Sequence, residues 1–311
     1  MKFKGVAEEW MIYKEMFVKK SSMSAYVLLL ENHLNPYFGE YKEEIPESKV
    51  QDFVLDKIRA GLSKKTVGDI LIVLKMILKF GKKQKIFTYT PFEDIVFPAE
   101  NIKKQLHVLT IDQTNTLIKY LTENFTFRNF GILIAISTGI RIGEVCALVW
   151  SDIDLEREVL VVSKTIQRVY SFGEKGKEGS RGKTELVLDE PKTSASNREI
   201  PLSPGLLKII KPISKVINPE YYILTNDLKP TEPRTYRNYY LDLMSKLRLP
   251  RLKFHGLRHS FATRCVNANI DIKTISVLLG HSNVTTTLNV YTHPDLEQKK
   301  AAITKMFKSL K

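Results

Sequence analysis

The chain has 311 residues, 43% of them apolar and 10% aromatic, which is enough to bury a large core and points to two domains rather than one, so global disorder is excluded. Lys and Arg number 48 against 34 Asp and Glu, a formal charge of +14, and the surface field therefore favours a polyanion such as nucleic acid. The longest apolar runs, Phe130 to Ile136 and Ile70 to Leu74, fall far short of the roughly 18–20 residues that span a bilayer, which argues against a membrane protein. Glu8 and Glu9 interrupt the N-terminus before an apolar signal region could form, so a cytoplasmic protein is expected. Cys146 and Cys265 belong to no Cys-x-x-Cys pair and read as buried thiols in a reducing compartment.

In chain order, the first hundred residues read as four helices. Val6, Trp10, Tyr13 and Phe17 recur at helical spacing, and Ser24 can cap a second helix that should stop near Asn35-Pro36. Ser48 opens a third with Val50, Phe53, Val54 and Ile58 on one face. Ser63 opens a fourth, striped by Val67, Ile70, Leu71, Leu74, Ile77 and Leu78, with Gly81 as its stop. Lys64, Lys65, Lys82, Lys83 and Lys85 flank this helix, as suits either backbone phosphates or a solvated rim. Pro91 and Pro98 bracket an irregular stretch, and Thr110 with Gln113 forms a capping-box pattern that starts a second domain. There a helix through Phe130 to Ile136 ends at Thr138-Gly139 and another carries Arg141 to Val149. Val159 to Thr165 and Glu185 to Leu188 read as strands around a Gly- and charge-rich hairpin end, and the rest returns to helices. The expected fold is mainly α: a helical domain over 1–97, a linker over 98–109, a mostly helical mixed α/β domain with a small antiparallel sheet over 110–293, and a tail helix over 294–311.

Four separated segments carry chemistry: TGIRIGEVCAL around Arg141, PKTSASNREIPL around Lys192, HGLRHSFAT from His255, and LGHSNVTTTLNVYTH from His281 to Tyr291. In order and spacing these resemble the active-site boxes of the tyrosine recombinases, the phage-integrase family. The resemblance is strong from Thr110 to about His293 and less specific over the N-terminal helices, which resemble the family's core-binding domain. It implies a catalytic set of Arg141, Lys192, His255, Arg258, His281 and Tyr291, with Glu144 orienting the first arginine.

The chemistry explains these residue types. Transfer of a phosphodiester to a protein hydroxyl passes through a pentacoordinate phosphorus whose non-bridging oxygens gain charge, and guanidinium forks such as Arg141 and Arg258 can stabilise them. Tyr291 would be the nucleophile, and because an ordinary tyrosine pKa is about 10 it needs a cationic pocket to favour loss of its proton. His255 would act as general base, Lys192 would protonate the leaving 5′ oxygen, and His281 would hydrogen-bond the phosphate. Lys175, Lys177 and Lys183 also lie in the hairpin before Lys192; the following Arg-x-Ile-Pro-Leu favours Lys192, as the family places its lysine shortly before such a strand.

Taken singly, each signal has an ordinary explanation: a surface arginine, a chance His-x-x-Arg pair, a packing tyrosine. Their conjunction in the required order carries the reading. His255 and His259 also have the spacing of a zinc helix, but Arg258 adds a fixed positive charge beside them; no metal and no cofactor are expected. The resemblance further implies a C-shaped clamp around a double-stranded DNA recombination site, a homotetramer on DNA that exchanges strands through a 3′-phosphotyrosine and a Holliday junction, accessory DNA-bending or directionality factors, and a nucleoid setting in a prokaryote or mobile element. No arm-binding domain precedes the helices here, so the expectation is a compact or a shortened member. Two other functions stay open at this stage: type IB topoisomerase-like relaxation of DNA, and DNA binding by an inactive integrase descendant. The hairpin over 165–190 could contact DNA or a partner, or be a solvated loop.

Overall fold

The computed structural model describes residues 1–92, 94–99, 107–170, 184–189, 196–291, 300, 303–304 and 306–308, with the side chains of 289–291 left aside. Its contacts divide the chain into two compact units: Met1–Lys103 with Arg168–Glu185, and Lys104–Gln167 with Leu186–Lys311.

The first unit is helical: α1 (Phe3–Glu15), α2 (Lys20–Leu29), a π-helical turn (Leu30–Leu34), α3 (Asn35–Phe38), α4 (Glu47–Arg59) and α5 (Lys64–Lys83). Its core joins Phe3, Val6 and Trp10 to Phe38, Phe53 and the buried stripe of α5, Val67, Ile70, Leu74, Ile77 and Leu78. Each such side chain contributes roughly 1.5–3 kcal/mol on burial. Ser63 caps α5 as expected, its hydroxyl accepting from the Thr66 N–H at 3.2 Å.

Four expectations need correction in this unit. Ser24 does not cap the second helix, which begins at Lys20 with Lys19 as its N-cap and carries Ser24 in its interior. The second helix does not stop at Pro36. Instead the π turn widens the ladder, the Asn35 N–H reaching back to the Leu30 carbonyl, and helical backbone continues through Pro36 to Phe38. The third helix starts one residue before Ser48, with Pro46 as its N-cap. Gly81 does not end α5, which runs on to Lys83. It is buried at a close approach, where a Cβ would lie 2.9 Å from Phe87 Cβ and 2.9 Å from Val6 Cγ1. Phe87 and Tyr89, after α5, and Phe92, within the stretch that reads as irregular, belong to this core.

The second unit opens with α6 (Ile111–Glu123), whose capping box is present: Thr110 Oγ1 accepts from the Gln113 N–H, and Gln113 Oε1 accepts from the Thr110 N–H. In chain order there follow α7 (Phe127–Thr138), α8 (Ile142–Ala147), a 3₁₀ turn (Trp150–Asp152), strands β1 (Ile153–Asp154), β2 (Val159–Val162), β3 (Thr165–Tyr170), β4 (Thr184–Asp189) and β5 (Arg198–Pro201), and helices α9 (Pro204–Ser214), α10 (Pro233–Lys246), α11 (His255–Asn267), α12 (Ile272–Leu279) and α13 (Val284–Tyr291), with β3 from Arg168 and β4 up to Glu185 counted in the first unit. The apolar run at 159–165 forms two strands, not one: β2 sits between β1 and β5 in an antiparallel sheet, while β3 pairs with β4 in a second sheet. The helix after Arg141 is also shorter than its apolar pattern, ending at Ala147. The core packs α7, wholly apolar from Ile132 to Ile136, against Leu117, Leu121, Leu160, Ile200, Tyr236, Tyr240 and Leu257. Cys146 and Cys265 are both buried thiols. Among the described residues no helix is long and apolar enough to cross a membrane.

Candidate active site

Two helix ends build the site. The α7 helix finishes on Gly139, in the left-handed conformation at φ 71°, whose N–H donates to the Ala135 carbonyl at 2.9 Å. A side chain there would be strained in backbone and would meet Phe261 Cδ1 at 2.6 Å and Leu279 Cδ2 at 2.8 Å. The α12 helix finishes on Gly280, left-handed at φ 65°, in a Schellman motif: the Gly280 N–H reaches the Val277 carbonyl at 2.9 Å and the His281 N–H reaches the Ser276 carbonyl at 3.0 Å. This motif fixes where His281 leaves the helix.

Each glycine carbonyl receives an arginine. Arg258 Nη1 donates to the Gly139 carbonyl at 3.0 Å, and Arg141 Nη2 to the Gly280 carbonyl at 3.3 Å. Helix C-termini carry partial negative charge, so both ends favour the guanidinium. Arg258, one turn into α11, is 2% exposed, whereas the Arg141 side chain, at the N-cap of α8, is 38% exposed and open to a ligand.

Glu144 holds Arg141 from below. Its Oε1 accepts from Arg141 Nη1 at 2.8 Å and its Oε2 from the Arg141 backbone N–H at 2.7 Å. A second arginine, Arg198 at the start of β5, grips the same carboxylate with Nη1 at 3.1 Å and Nη2 at 3.0 Å. Burial pushes the Glu144 carboxyl up, but the hydrogen bonds and charge of Arg198, followed by the charge of Arg141, more than offset this and hold it below the ordinary carboxylate range.

His255 opens α11, its ring edge-to-face with that of His259 at 4.6 Å. Its pKa is lowered to about 4 by burial, then by His259, Arg258 and Arg141, with Glu144 opposing. His281 is lowered to about 4 by burial, then by Arg258, Arg141, Arg198 and His255. His281 Nδ1 lies 2.8 Å from the hydroxyl of Thr287, which is fully buried on α13; this bond occupies Nδ1 and leaves Nε2 for a ligand. Among the described residues no group of three or more His, Cys, Asp or Glu could hold a metal ion.

Of the six residues expected from sequence, the structure thus brings Arg141, His255, Arg258 and His281 within electrostatic reach of one another. Lys192 lies outside the described residues, as do Lys175, Lys177 and Lys183. Tyr291 is the last residue of α13, one helical turn beyond Thr287, and its side chain lies outside the described residues. Sequence reasoning missed Arg198 and Thr287. Arg198 had a signal: in the pattern Arg198-Glu199-Ile200-Pro201 it occupies the same inward face as Ile200, and a charge at an inward strand position requires a buried partner.

A buried arginine, Arg258, at one glycine-capped helix end and a partly exposed one, Arg141, at the other, beside two histidines, form a candidate phosphate site, and the comparisons say of which class. The model of the phage integrase family matches residues 107–298, more than half of the chain, and the chain belongs to that family, the tyrosine recombinases. It is an enzyme of site-specific DNA recombination that cleaves and rejoins DNA strands. It is similar to a XerC-like tyrosine recombinase of Caldanaerobacter subterraneus subsp. tengcongensis, 27% identical over 92% of this chain and 78% of the relative. It is also similar to the transposase of transposon Tn916 from Enterococcus faecalis, 23% identical over 86% of this chain and 67% of that protein. Among solved structures, the Tn1549 transposon integrase with transposon right end DNA shares the fold at TM-score 0.78 and 22% identity, covering 98% of this chain and 99% of that one. A lambda integrase dimer bound to a core site does so at TM-score 0.67 and 16% identity, covering 95% and 97%. None of these relatives favours the topoisomerase or inactive-binder alternatives.

Proposed function

We propose that this chain recombines a double-stranded DNA site by forming a 3′-phosphotyrosine at Tyr291. The Tyr291 oxygen attacks the scissile phosphorus as the bond from phosphorus to the 5′ oxygen breaks. The tyrosine proton passes to His255, and Lys192 protonates the departing 5′ oxygen. Arg141 and Arg258 take the charge that develops on the non-bridging oxygens, and His281 donates a hydrogen bond from Nε2. Because the phosphotyrosine conserves the bond energy, a 5′ hydroxyl from a second site can attack it, which gives strand exchange through a Holliday junction and integration or excision of a DNA segment. Four protomers on two sites carry out the exchange, helped by accessory DNA-bending factors, in the cytoplasm and on the nucleoid. The domains proposed for this are 1–97 and 110–293, joined by 98–109, with 294–311 as the tail.

The observation that supports the reading is that Arg258 donates to the carbonyl of Gly139, two residues before Arg141, while Arg141 donates to the carbonyl of Gly280, next to His281, which ties the three separated segments together. Both histidines are neutral at physiological pH, as a proton acceptor must be, and an arriving phosphodiester anion opposes the arginine charges and strengthens their basicity. Tyr291→Phe removes only the nucleophilic oxygen. It should abolish the covalent protein–DNA adduct on a nicked suicide substrate and leave gel-shift binding intact; an adduct formed by the variant would refute the assignment.

A further inference from the structure

We infer that Arg198 is a positioning residue that sets Arg141 and the His281 turn together, so that the phosphate site is complete only when β5 is in place. The inference rests on the reading of Arg141 as a phosphate ligand.

Arg198 is nearly enclosed, its side chain 3% exposed, and each of its three guanidinium nitrogens donates a hydrogen bond. Nη1 and Nη2 bridge the two oxygens of Glu144, Nη1 also donates to the Ser196 carbonyl at 3.1 Å, and Nε donates to the Leu278 carbonyl at 2.7 Å. Glu144 holds the Arg141 guanidinium and backbone N–H, and Arg141 reaches the Gly280 carbonyl. The bonds close a circuit that runs from β5 to α8 and on to the C-terminal carbonyls of α12, from which His281 follows directly.

The circuit has two chemical consequences. A carboxylate as enclosed as Glu144, its side chain 4% exposed, would be driven toward its neutral form with a single cation beside it. Arg198 keeps it ionised, and the ionised form offers both oxygens as charge-assisted acceptors to the Arg141 Nη1 and backbone N–H. One carboxylate shared by two guanidiniums also leaves a net positive charge at the phosphate position, so Glu144 orients Arg141 without cancelling it. A lysine at 198 would keep the charge but has no planar fork to span both carboxylate oxygens and the Leu278 carbonyl.

The test measures single-turnover strand cleavage on two nicked substrates, one with an ordinary scissile phosphate and one in which a methyl group replaces a non-bridging oxygen, removing a negative charge. Arg198→Gln, Arg198→Lys, Arg141→Ala and the Arg198→Gln/Arg141→Ala double variant are compared, with site binding by gel shift and melting temperature recorded for each. Arg141→Ala is expected to slow cleavage of the phosphate on the order of 10²-fold and to be much less impaired on the methylphosphonate. Equal impairment on both would overturn the reading of Arg141 itself. Arg198→Gln is expected to bind the site normally, to lose about ten- to a hundredfold on the phosphate, as outer-shell supports of a charged site do, and to share the relief on the methylphosphonate. Arg198→Lys should recover part of the loss, and the double variant should be no worse than Arg141→Ala, because both changes act on one group. A loss from Arg198→Gln that is equal on both substrates, or that multiplies with that of Arg141→Ala, would overturn the positioning role. So would failure of both single Arg198 variants to fold and bind DNA, which would make Arg198 a stability element alone.

Discussion

His255 and His281 titrate near 4 because burial and neighbouring positive charge both oppose a proton. The ordinary histidine value is 6.5, so between about 6.5 and 4 the unfolded chain takes up protons at these positions that the folded chain refuses. Stability of the DNA-free protein should therefore fall as pH drops through that window, with no contribution from either histidine above it. Glu144 acts in the same direction but in a lower range: its depressed pKa contributes stability above the ordinary carboxylate value that is lost as pH falls further. Proton-detected NMR of the ring signals gives the direct check. Both histidines should titrate well below 6.5 in the free protein and shift upward when a DNA duplex is bound; values near 6.5 in the free protein would show that the arginines do not face them.

At the scale of elements, the polypeptide after α13 invites a specific experiment. Ile303 and Thr304, and Met306 to Lys308, are helical, and Ile303 and Phe307, four residues apart, are 61% and 66% exposed. Exposed apolar side chains at helical spacing suit a covering surface, and the proposed cover is a neighbouring protomer. Deleting residues 295–311 should leave single-site binding measurable while weakening assembly of the synaptic complex and complete recombination, and mass measurement of the DNA complex reads the outcome. A full complement of tetramer from the shortened protein would refute it.

Elements also show which parts of the architecture local sequence carries. The capping box at Thr110 and Gln113, the Ser63 cap and the Gly139 stop are decided within four residues of chain, and all three were legible. The continuation through Pro36 was not, because a π turn has no compositional mark and absorbs the missing N–H upstream. Gly81 misled for a related reason: a glycine needed for a close approach to Val6 and Phe87 looks the same in sequence as one that ends a helix. In the site itself, Arg141, His255, Arg258 and His281 were legible through their motifs. The Arg198–Glu144 and Thr287–His281 pairs were not, since which partner a buried polar group finds is a property of tertiary packing.

For the molecule as a whole, the excess of 48 cationic over 34 acidic side chains sets the behaviour on DNA. Affinity for a duplex should fall steeply and linearly on a log–log plot against salt, as counterions released from phosphates dominate the binding free energy. Cleavage within the preformed complex should depend far less on salt, since Arg258 and Glu144 are almost fully enclosed and screened little by mobile ions. Filter binding and single-turnover cleavage across a salt series would separate the two; parallel slopes would mean that the arginines of the site are ordinary surface anchors.

The ties between Arg141 and Gly280, Arg258 and Gly139, and Arg198 and Leu278 join positions 139, 119 and 80 residues apart in sequence. Contacts that distant form only after the intervening chain has collapsed, and their loop-closure entropy makes them late events in folding. An unfinished or partly folded chain therefore cannot assemble the charge arrangement that activates a phosphodiester. Competence to cleave DNA should arrive last, with the completed second unit.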